Sequence, residues 1–384
     1  MKKQLLTAAI LCCLVIAGST AAPKSAKKKP KIPVSRVQTH MDGYLGDRID
    51  ACIRVRVCSE DPDLLVAPMR RQTETSLWQS EFWGKWTLGA IASYRYNKDP
   101  ELLRKIEGGV ESLLAAQQPD GYIGNYAPEA QLTNWDVWGR KYTMLGLLAY
   151  YDLTGDKKAL DGAVRLADHL LTQIPAVRQI ERTGIYRGMS SCSILEPIML
   201  LYNRTLDEKY LDFARYIVDR MESADGPQLI AKALDSVPVS ERFPLDDPSR
   251  GWFVWENGQK AYEMMSCYDG LLELYKVTND PRYLKAVEAT VTSIIADEIN
   301  IAGSGSSFEC FYKGKALQTE PAYHTMETCV TMTWMKLCYD LLRLTRNPLY
   351  ADQIERSAYN ALAASMKEDA SQIAKYSPLE GARS

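Results

Sequence analysis

The sequence predicts an all-α protein built from repeated helical hairpins. A helix end, a polar turn and a new helix recur five times, as SYRYNKDPELL, YYDLTGDKKAL, LYNRTLDEKYL, LYKVTNDPRYL and LLRLTRNPLYA. The turns carry five residues that suit a helix N-cap, namely Asp99, Asp156, Asp207, Asp280 and Asn347. Pro100, Pro281 and Pro348 occupy first-turn positions, which proline favours. Apolar residues follow at three- and four-residue spacing, as amphipathic helices require.

The spacing of these turns favours a closed ring. The turns lie 51 to 73 residues apart, which fits two helices of about fifteen residues and two loops. A sixth hairpin would close an (α/α)6 toroid, whose inner helices line a cavity and whose long loops form a rim. The alternative is an open α-solenoid. In the fourth repeat the predicted buried positions are Tyr283, Ala286, Val287, Thr290, Val291 and Ile294.

The N-terminus predicts export. Lys2 and Lys3 precede an apolar run over residues 5–17, and small residues follow it. This pattern is typical of a signal peptide over residues 1–22, cleaved after Ala21 or Ala22, and it places the protein in the periplasm or outside the cell. The basic, proline-containing residues 23–40 form a predicted tether. The toroid then spans residues 41–384.

Composition excludes two classes of partner. The net charge of −2 leaves no basic surface for nucleic acid, and no later apolar stretch is long enough for a membrane span. Seven cysteines follow the signal peptide, so at least one is unpaired in an exported protein. Their scattered positions indicate buried or metal-bound thiols rather than a disulfide framework.

Two neighbouring loops carry a candidate sugar site. The segments QQPDGYIGNY (117–126) and NWDVWGRKY (134–142) contain Asp120, Tyr122, Trp135 and Trp138. Aromatic faces stack on sugar C–H surfaces, and carboxylates accept hydrogen bonds from sugar hydroxyls. The alternative is that these aromatic side chains pack the helix ends.

The stretch ECFYKGKALQTEPAYHTMETC (309–329) pairs glutamates with cysteines. A Gly- and Ser-rich loop precedes Glu309, and a helix capped by Thr325 or Thr328 is predicted to follow. Glu327 and Cys329 then fall in or beside its first turn, where the helix dipole favours anions and lowers a thiol pKa. The pair is either half of a zinc site or part of a capped helix with a buried cysteine. In the same region Cys310 is ambiguous, and Cys338 fits the core.

Three features together resemble glycoside hydrolase family 127, whose members are β-L-arabinofuranosidase-like. They are the loop that ends at Glu309, the triplet ETC at 327–329 and the surrounding hairpins. The segments QPDGY and AYEMMSCYDGLLELYKVTNDPRYL (261–284) are also similar to the Bacteroidetes branch of this family. The resemblance covers residues 40–384.

The resemblance implies a retaining exo-glycosidase on an (α/α)6 toroid, without the C-terminal β-sandwich domains of full-length members. Glu309 would match the general acid/base, and Glu327 and Cys329 would match two zinc ligands. An adjacent cysteine pair further along the chain would supply the other two ligands, and one of these cysteines would be the nucleophile. Zinc would keep that sulfur as a thiolate at neutral pH.

The sequence departs from the family pattern in two ways. No adjacent cysteine pair follows Cys329, so the toroid is expected to be C-terminally truncated. In addition, Arg140, Lys141 and Lys260 stand where several members carry histidines. These cations predict a sugar with a carboxylate, unless they point outward into solvent.

Three functions therefore remain open. The first is an exported glycosidase that cleaves a terminal furanosidic sugar, arabinose-like or acidic, from the side chains of plant polysaccharide. Its sugar would lie at the rim around residues 120–142 and 257–263, which includes Tyr262. The second is a catalytically incomplete toroid that only binds sugar. The third is a lyase or epimerase on the same fold.

Overall fold

The computed structural model describes residues 39–243, 258–319 and 324–384. The predicted signal peptide and most of the predicted tether lie outside the described residues. In the described part, the α-helices are α1 (Gly43–Cys52), α2 (Pro62–Arg71), α3 (Ser80–Asn97), α4 (Pro100–Ala115), α5 (Asp136–Thr154), α6 (Lys157–Gln173), α7 (Met189–Cys192), α8 (Leu195–Thr205), α9 (Glu208–Met221), α10 (Leu229–Leu234), α11 (Ala261–Thr278), α12 (Pro281–Asp297), α13 (Thr328–Thr345), α14 (Pro348–Ser357) and α15 (Ala363–Ser365). These residues contain isolated β-bridges but no β-strand, which confirms the all-α prediction.

The five predicted turns join α3 to α4, α5 to α6, α8 to α9, α11 to α12 and α13 to α14. Each turn has the same construction. The first helix ends in a left-handed residue with φ between 56° and 76°, in chain order Lys98, Gly155, Leu206, Asn279 and Arg346. One residue later, the predicted Asp or Asn accepts a hydrogen bond of 2.9–3.1 Å from the amide two positions on. The repeat is therefore a series of capped helix starts, as predicted.

The cap at Asp156 gives a direct test of this construction. We expect Asp156→Ala to lower the free energy of unfolding by about 1 kcal/mol, because the amide of Lys158 loses its acceptor. Asp156→Asn keeps an acceptor and should cost much less. Asp161→Ala, at an exposed position of the same helix, is the control. Urea denaturation measures all three, and equal losses in the two alanine variants would contradict the capping role.

The first helices of the hairpins form an inner ring. In chain order α3, α5, α8, α11 and α13 pack each against the next. Helix α5 buries 14 of its 19 residues, whereas its hairpin partner α6 buries 7 of 17 and faces solvent on the other side. The outer helix α12 buries the six predicted apolar-face residues. An inner helix surrounded by protein can bury charged groups only beside partners or a cavity.

The ring closes through the N-terminal helices. Tyr44 of α1 stacks on Tyr359 with 6.3 Å between ring centroids, and Arg48 Nη1 donates to Met366 O at 3.2 Å. Helix α2 packs on α3 and α4. The closing element is thus built from the first helices of the toroid, not from a sixth copy of the turn motif.

The described residues contain seven cysteines, and no disulfide joins any two of them. Cys338 is fully buried in the hydrophobic core, as predicted. Within the same residues, no helix combines the length and apolar character that a membrane span needs.

Candidate active site

Glu309 lies at the tip of a strained two-residue turn. The flanking residues Ser307 and Cys310 exchange backbone hydrogen bonds, each of 2.9 Å. The two central residues are Phe308 at φ 48° and Glu309 at φ 67°. Both lie in the left-handed region that this turn type requires and that Asn-Gly normally supplies. Residues with side chains cost of order 1–3 kcal/mol each there, and such strain is typical of functional positions.

The backbone of this turn is joined to the start of α11. Ala261 N donates to Glu309 O at 2.9 Å, and Phe311 N donates to Gln259 O at 2.9 Å. These bonds hold the turn beside residues 259–261. Lys260, the residue immediately before α11, is consequently brought to the Glu309 carboxylate.

Three donors surround the Glu309 carboxylate. Oε2 accepts from the ammonium of Lys260, which is 2% exposed, while Oε1 accepts from Lys375 Nζ at 2.6 Å and Tyr376 OH at 3.1 Å. Burial alone would raise the pKa of Glu309, but Lys260 and then Lys375 outweigh it and lower the pKa to about 2. Glu309 is therefore a carboxylate at neutral pH in this arrangement, the form that acts as a base.

Glu327 occupies the N-cap position of α13, beside its first turn as predicted. Burial, followed by repulsion from Glu309, raises the pKa of Glu327 to about 8. Its Oε2 atom is buried and has no hydrogen-bond partner among the residues that the structure describes. The predicted threonine cap is wrong, because Thr328 Oγ1 donates to Ala374 O at 2.7 Å and Thr325 lies before the N-cap residue.

Cys329 lies in the first turn of α13, as predicted, but its pKa shifts in the direction opposite to the prediction. Burial raises the pKa of the thiol to about 11, although Lys85 acts to lower it. The loss of hydration outweighs the helix dipole here. Without a metal, Cys329 is a neutral thiol.

Glu327 and Cys329 carry side chains of the kind that bind zinc. A buried carboxyl oxygen without a partner and an adjacent thiol are zinc donors, and metal binding would displace the thiol proton. Within residues 39–243, 258–319 and 324–384, however, no three His, Cys, Asp or Glu side chains group as a metal site. The described residues thus offer two of the four donors of a closed zinc centre.

A second charged group faces the same region from α3. Lys85 Nζ lies 2.9 Å from Glu81 Oε1 and sits over the rings of Tyr262 and Tyr142, at 4.7 and 5.0 Å from their centroids. The two tyrosine hydroxyls are hydrogen-bonded to each other. The positive charge of Lys85 also acts to lower the pKa of the Cys329 thiol, so this group lies near the proposed zinc ligands.

Aromatic side chains extend from the tyrosine pair toward the surface. The Trp138 ring lies 5.2 Å from that of Tyr262 and 5.8 Å from that of Trp135, which in turn lies 6.2 Å from Trp78. Trp78 is exposed and Trp135 is half-buried. The predicted aromatic residues Trp135, Trp138 and Tyr262 therefore form one continuous wall that reaches the proposed site.

Asp120, Tyr122 and Arg140 belong to a separate network. Arg140 is fully buried, with Nη2 2.6 Å from Asp136 Oδ2 and Nη1 2.7 Å from Gln173 Oε1. Tyr122 OH donates to Asp136 Oδ1 at 2.8 Å, so this ring packs as the alternative reading proposed. Asp120 lies 3.4 Å from the ring of His169. The structure gives Arg140 an internal ion pair in place of the predicted contact with a sugar carboxylate.

Sequence reasoning missed four residues of the site. Glu81 and Lys85 stand four residues apart on a largely apolar inner helix, a signal that was present in SEFWGKW. Lys375 and Tyr376 lie in the irregular C-terminal segment, where no periodic pattern marks them. That segment reaches α13 through Thr328 N, which donates to Lys375 O at 2.9 Å.

Several known proteins are similar to the chain in sequence or in fold. The non-reducing end β-L-arabinofuranosidase of Bifidobacterium longum subsp. longum is 22% identical over 322 residues, which are 77% of this chain and 47% of the relative. The chain thus spans about half the length of that curated relative.

Two solved structures have a similar fold. A GH127 β-L-arabinofuranosidase from Geobacillus stearothermophilus T6 gives a TM-score of 0.65 at 21% identity, over 89% of this chain and 58% of that one. A second GH127 β-arabinofuranosidase gives 0.64 at 20% identity, over 89% and 56%. The profile described as "Beta-L-arabinofuranosidase, GH127 catalytic domain" matches residues 37–384. The chain therefore belongs to glycoside hydrolase family 127.

Proposed function

We propose that the protein is an exported retaining exo-glycosidase that releases a terminal furanosidic sugar, L-arabinofuranose-like, from plant polysaccharide. The observation that carries this proposal is the convergence of Glu309, Glu327 and Cys329. Tyr376 links the first two, since its hydroxyl donates to Glu309 Oε1 and its backbone forms a β-bridge with Glu327. The N-terminal pattern of residues 1–22 supports export.

Glu309 is the proposed general acid/base. Its carboxylate form suits the second half of a retaining reaction, in which the group takes a proton from water. The first half needs the protonated form, which the two lysines oppose. Lys375 is 51% exposed on its side chain, whereas Lys260 is buried. Lys375 is therefore the partner that an entering sugar would displace, which would let the pKa of Glu309 rise.

Among the described residues, Glu327 and Cys329 are the proposed ligands of zinc. The metal would supply a positive charge that keeps a cysteine sulfur in its thiolate form, the form that attacks an anomeric carbon. The remaining ligands and the nucleophile would be cysteines outside this pair. Tyr262, Trp138 and Trp135 would bind the apolar face of the sugar.

The sugar is proposed to be neutral. Each cation that suggested an acidic sugar already faces a carboxylate of the chain: Lys260 faces Glu309, Arg140 faces Asp136, and Lys141 is attracted by Glu196 and Asp269. A sugar carboxylate would have to compete with these partners. An acidic furanoside remains the second candidate, because Lys375 is exposed enough to meet one.

Chromogenic glycosides test the proposal. We expect a form of the chain that includes the adjacent cysteine pair to hydrolyse a β-L-arabinofuranoside faster than a matched uronide when zinc is present. Glu309→Gln should reduce that rate by about 10²–10⁴-fold, because amides do not transfer protons. Binding without hydrolysis would favour the incomplete sugar-binding toroid. An unsaturated product would favour a lyase, and an isomerised sugar an epimerase.

A further inference from the structure

A buried glutamate at the end of α12 ties together the two ends of the loop that carries Glu309. Glu298 is the C-cap residue of α12 and is fully buried. Its Oε2 atom accepts hydrogen bonds from Tyr312 N at 3.0 Å and Gly314 N at 3.1 Å, and its Oε1 atom accepts one from Lys313 N at 2.9 Å. The side chain that opens the loop therefore binds the residues that close it. We name these three bonds the loop clamp.

The loop between these ends, residues 299–314, has a strained backbone. Four of its residues with side chains lie in the left-handed region, namely Ser306 at φ 75°, Phe308 at φ 48°, Glu309 at φ 67° and Lys313 at φ 64°. Such conformations are unfavourable and persist only where the surrounding structure holds them. The loop therefore needs bonds to the helices on which it rests, and the loop clamp supplies three.

Burying a carboxylate where Glu298 lies is unfavourable in itself. The group loses its hydration, and it lies at the helix end where the dipole is negative. In the described part of the chain no basic side chain forms an ion pair with Glu298, since Lys313 Nζ lies 2.6 Å from Glu241 Oε1 instead. Burial raises the pKa of Glu298, and the three backbone amides act to lower it. The amides of the loop are thus the groups that hold this carboxylate in place.

The loop clamp lies close to Glu309 along the chain. Residues 309–314 run between two supports. At the first, Ala261 N donates to Glu309 O at 2.9 Å, beside Lys260, whose ammonium donates to the Glu309 carboxylate. The second support is the loop clamp on residues 312–314. Only two residues separate the supports, and both are buried, so a displacement at the clamp is transmitted to Glu309.

We propose that Glu298 is a positioning residue for Glu309, and that the loop clamp keeps the Glu309 carboxylate in contact with Lys260. Glu298 acts through the loop and does not touch the sugar. This inference rests on the proposed function, because it gives the proposed acid/base the support that fixes its place in the site.

The chain contains a matched clamp away from the site. Glu222 is the C-cap residue of α9, and its two carboxylate oxygens accept from Ile230 N and Ala231 N, each at 2.8 Å. The chemistry is the same, a glutamate at a helix end that binds backbone amides further along the chain. The loop that Glu222 closes carries none of the proposed site residues. Glu222→Gln is therefore the control for Glu298→Gln.

Urea denaturation of the full chain at pH 7 tests the inference. We expect the loss of stability caused by Lys260→Met to be at least halved in the Glu298→Gln background, because the released loop no longer holds Glu309 against Lys260. In the Glu222→Gln background that loss should be unchanged, since distant, independent sites are additive. A Lys260→Met loss of the same size in both backgrounds would overturn the positioning role and leave Glu298 as a support of the fold alone.

Kinetics provide a second readout that a purely structural role would not move. In a form of the chain that includes the adjacent cysteine pair, with zinc present, Glu298→Gln should lower kcat for a β-L-arabinofuranoside about tenfold or more, because a displaced acid/base is costly in the transition state. KM should change less than twofold, and Glu222→Gln should alter neither constant. A change in KM alone would overturn the inference.

The two readouts separate this inference from the proposed function. No hydrolysis by the unmodified form would overturn the proposed function, and the stability comparison would still decide whether Glu298 holds Glu309. Thermal unfolding establishes that each variant is folded. Glu298→Asp keeps a carboxylate and takes the place of a Glu298→Gln variant that does not fold, with the same expected reduction in the Lys260→Met loss.

Discussion

Replacing Lys260 with methionine is expected to destabilise the protein by about 2–3 kcal/mol at pH 7, because it leaves the Glu309 carboxylate partly buried with one ammonium partner fewer. Lys260 is 2% exposed on its side chain and Glu309 19%, so solvent screens this pair weakly. The same change removes the strongest influence that lowers the pKa of Glu309, so that pKa should rise from about 2 toward its ordinary value.

The stability that Lys260→Met loses should depend on pH in a defined direction. The folded pKa of Glu309 lies below its ordinary value of 4.5, so the carboxylate stabilises the fold above pH 4.5, and this contribution is lost as the pH falls toward 2. The pKa of Lys260 is raised, so its contribution is complete at pH 7. The difference between wild type and variant should therefore be largest near neutral pH and shrink below pH 4.5.

Lys276→Met provides the matched control for this variant. Lys276 lies in the last turn of α11, the helix that Lys260 precedes; it pairs with Glu273 and is 34% exposed on its side chain. Its loss should cost about 0.5 kcal/mol or less, as for other surface pairs. Urea denaturation at several pH values compares the two variants, and the double variant Lys260→Met with Glu309→Gln should recover part of the loss. Equal, small effects of both lysine changes would show that Lys260 does not hold Glu309.

The hairpins were predictable because the signals that build them are local. An Asp or Asn two residues before a backbone amide, followed by proline or a good helix former, determines a helix start without any distant contact. Asp99 and Asn347 lie in very different parts of the ring, yet both accept the predicted bond. The burial of Tyr283 and Ile294 followed equally from the period of α12.

The conformation at Glu309 was not predictable in the same way. A turn with φ of 48° and 67° at Phe308 and Glu309 contradicts the local preference of both residues. Tertiary bonds hold it, including the one from Ala261 N, which lies 48 residues away in sequence (309 − 261). Lys375 reaches the same carboxylate from an irregular segment 66 residues further on. The sequence marks Glu309 only through its family resemblance, and it gives no sign of the lysines that set its pKa.

The sequence contains a signal that Arg140 is paired inside the protein. Asp136 and Arg140 are four residues apart on one helix, the spacing of an intrahelical ion pair. Read as a pair, they predict an internal, neutralised charge rather than a free guanidinium for a substrate carboxylate. For Lys141 the sequence offers no such partner at helical spacing. Its carboxylate neighbours Glu196 and Asp269 come from other helices of the ring.

Cys329→Ser is expected to abolish zinc binding by the full chain. The thiol pKa of about 11 in the metal-free protein means that zinc must displace a proton, which a thiol permits and a serine hydroxyl does not. Cys58→Ser is the matched control, since Cys58 is also an unpaired, partly exposed cysteine but lies before α2, away from Glu327. Zinc content after gel filtration should fall in Cys329→Ser and stay at the level of the unmodified protein in Cys58→Ser.

The zinc prediction has a second readout that does not depend on activity. A ligand that binds only the folded state raises the midpoint of thermal unfolding with its concentration. Added zinc should therefore raise that midpoint in the unmodified chain and in Cys58→Ser but not in Cys329→Ser. Glu327→Gln should lose part of the effect, because the amide binds zinc more weakly than the carboxylate whose Oε2 lacks a partner here. Zinc-free unmodified protein with a midpoint unaffected by the metal would contradict the half-site, and Glu327 and Cys329 would then be a buried helix start and no more.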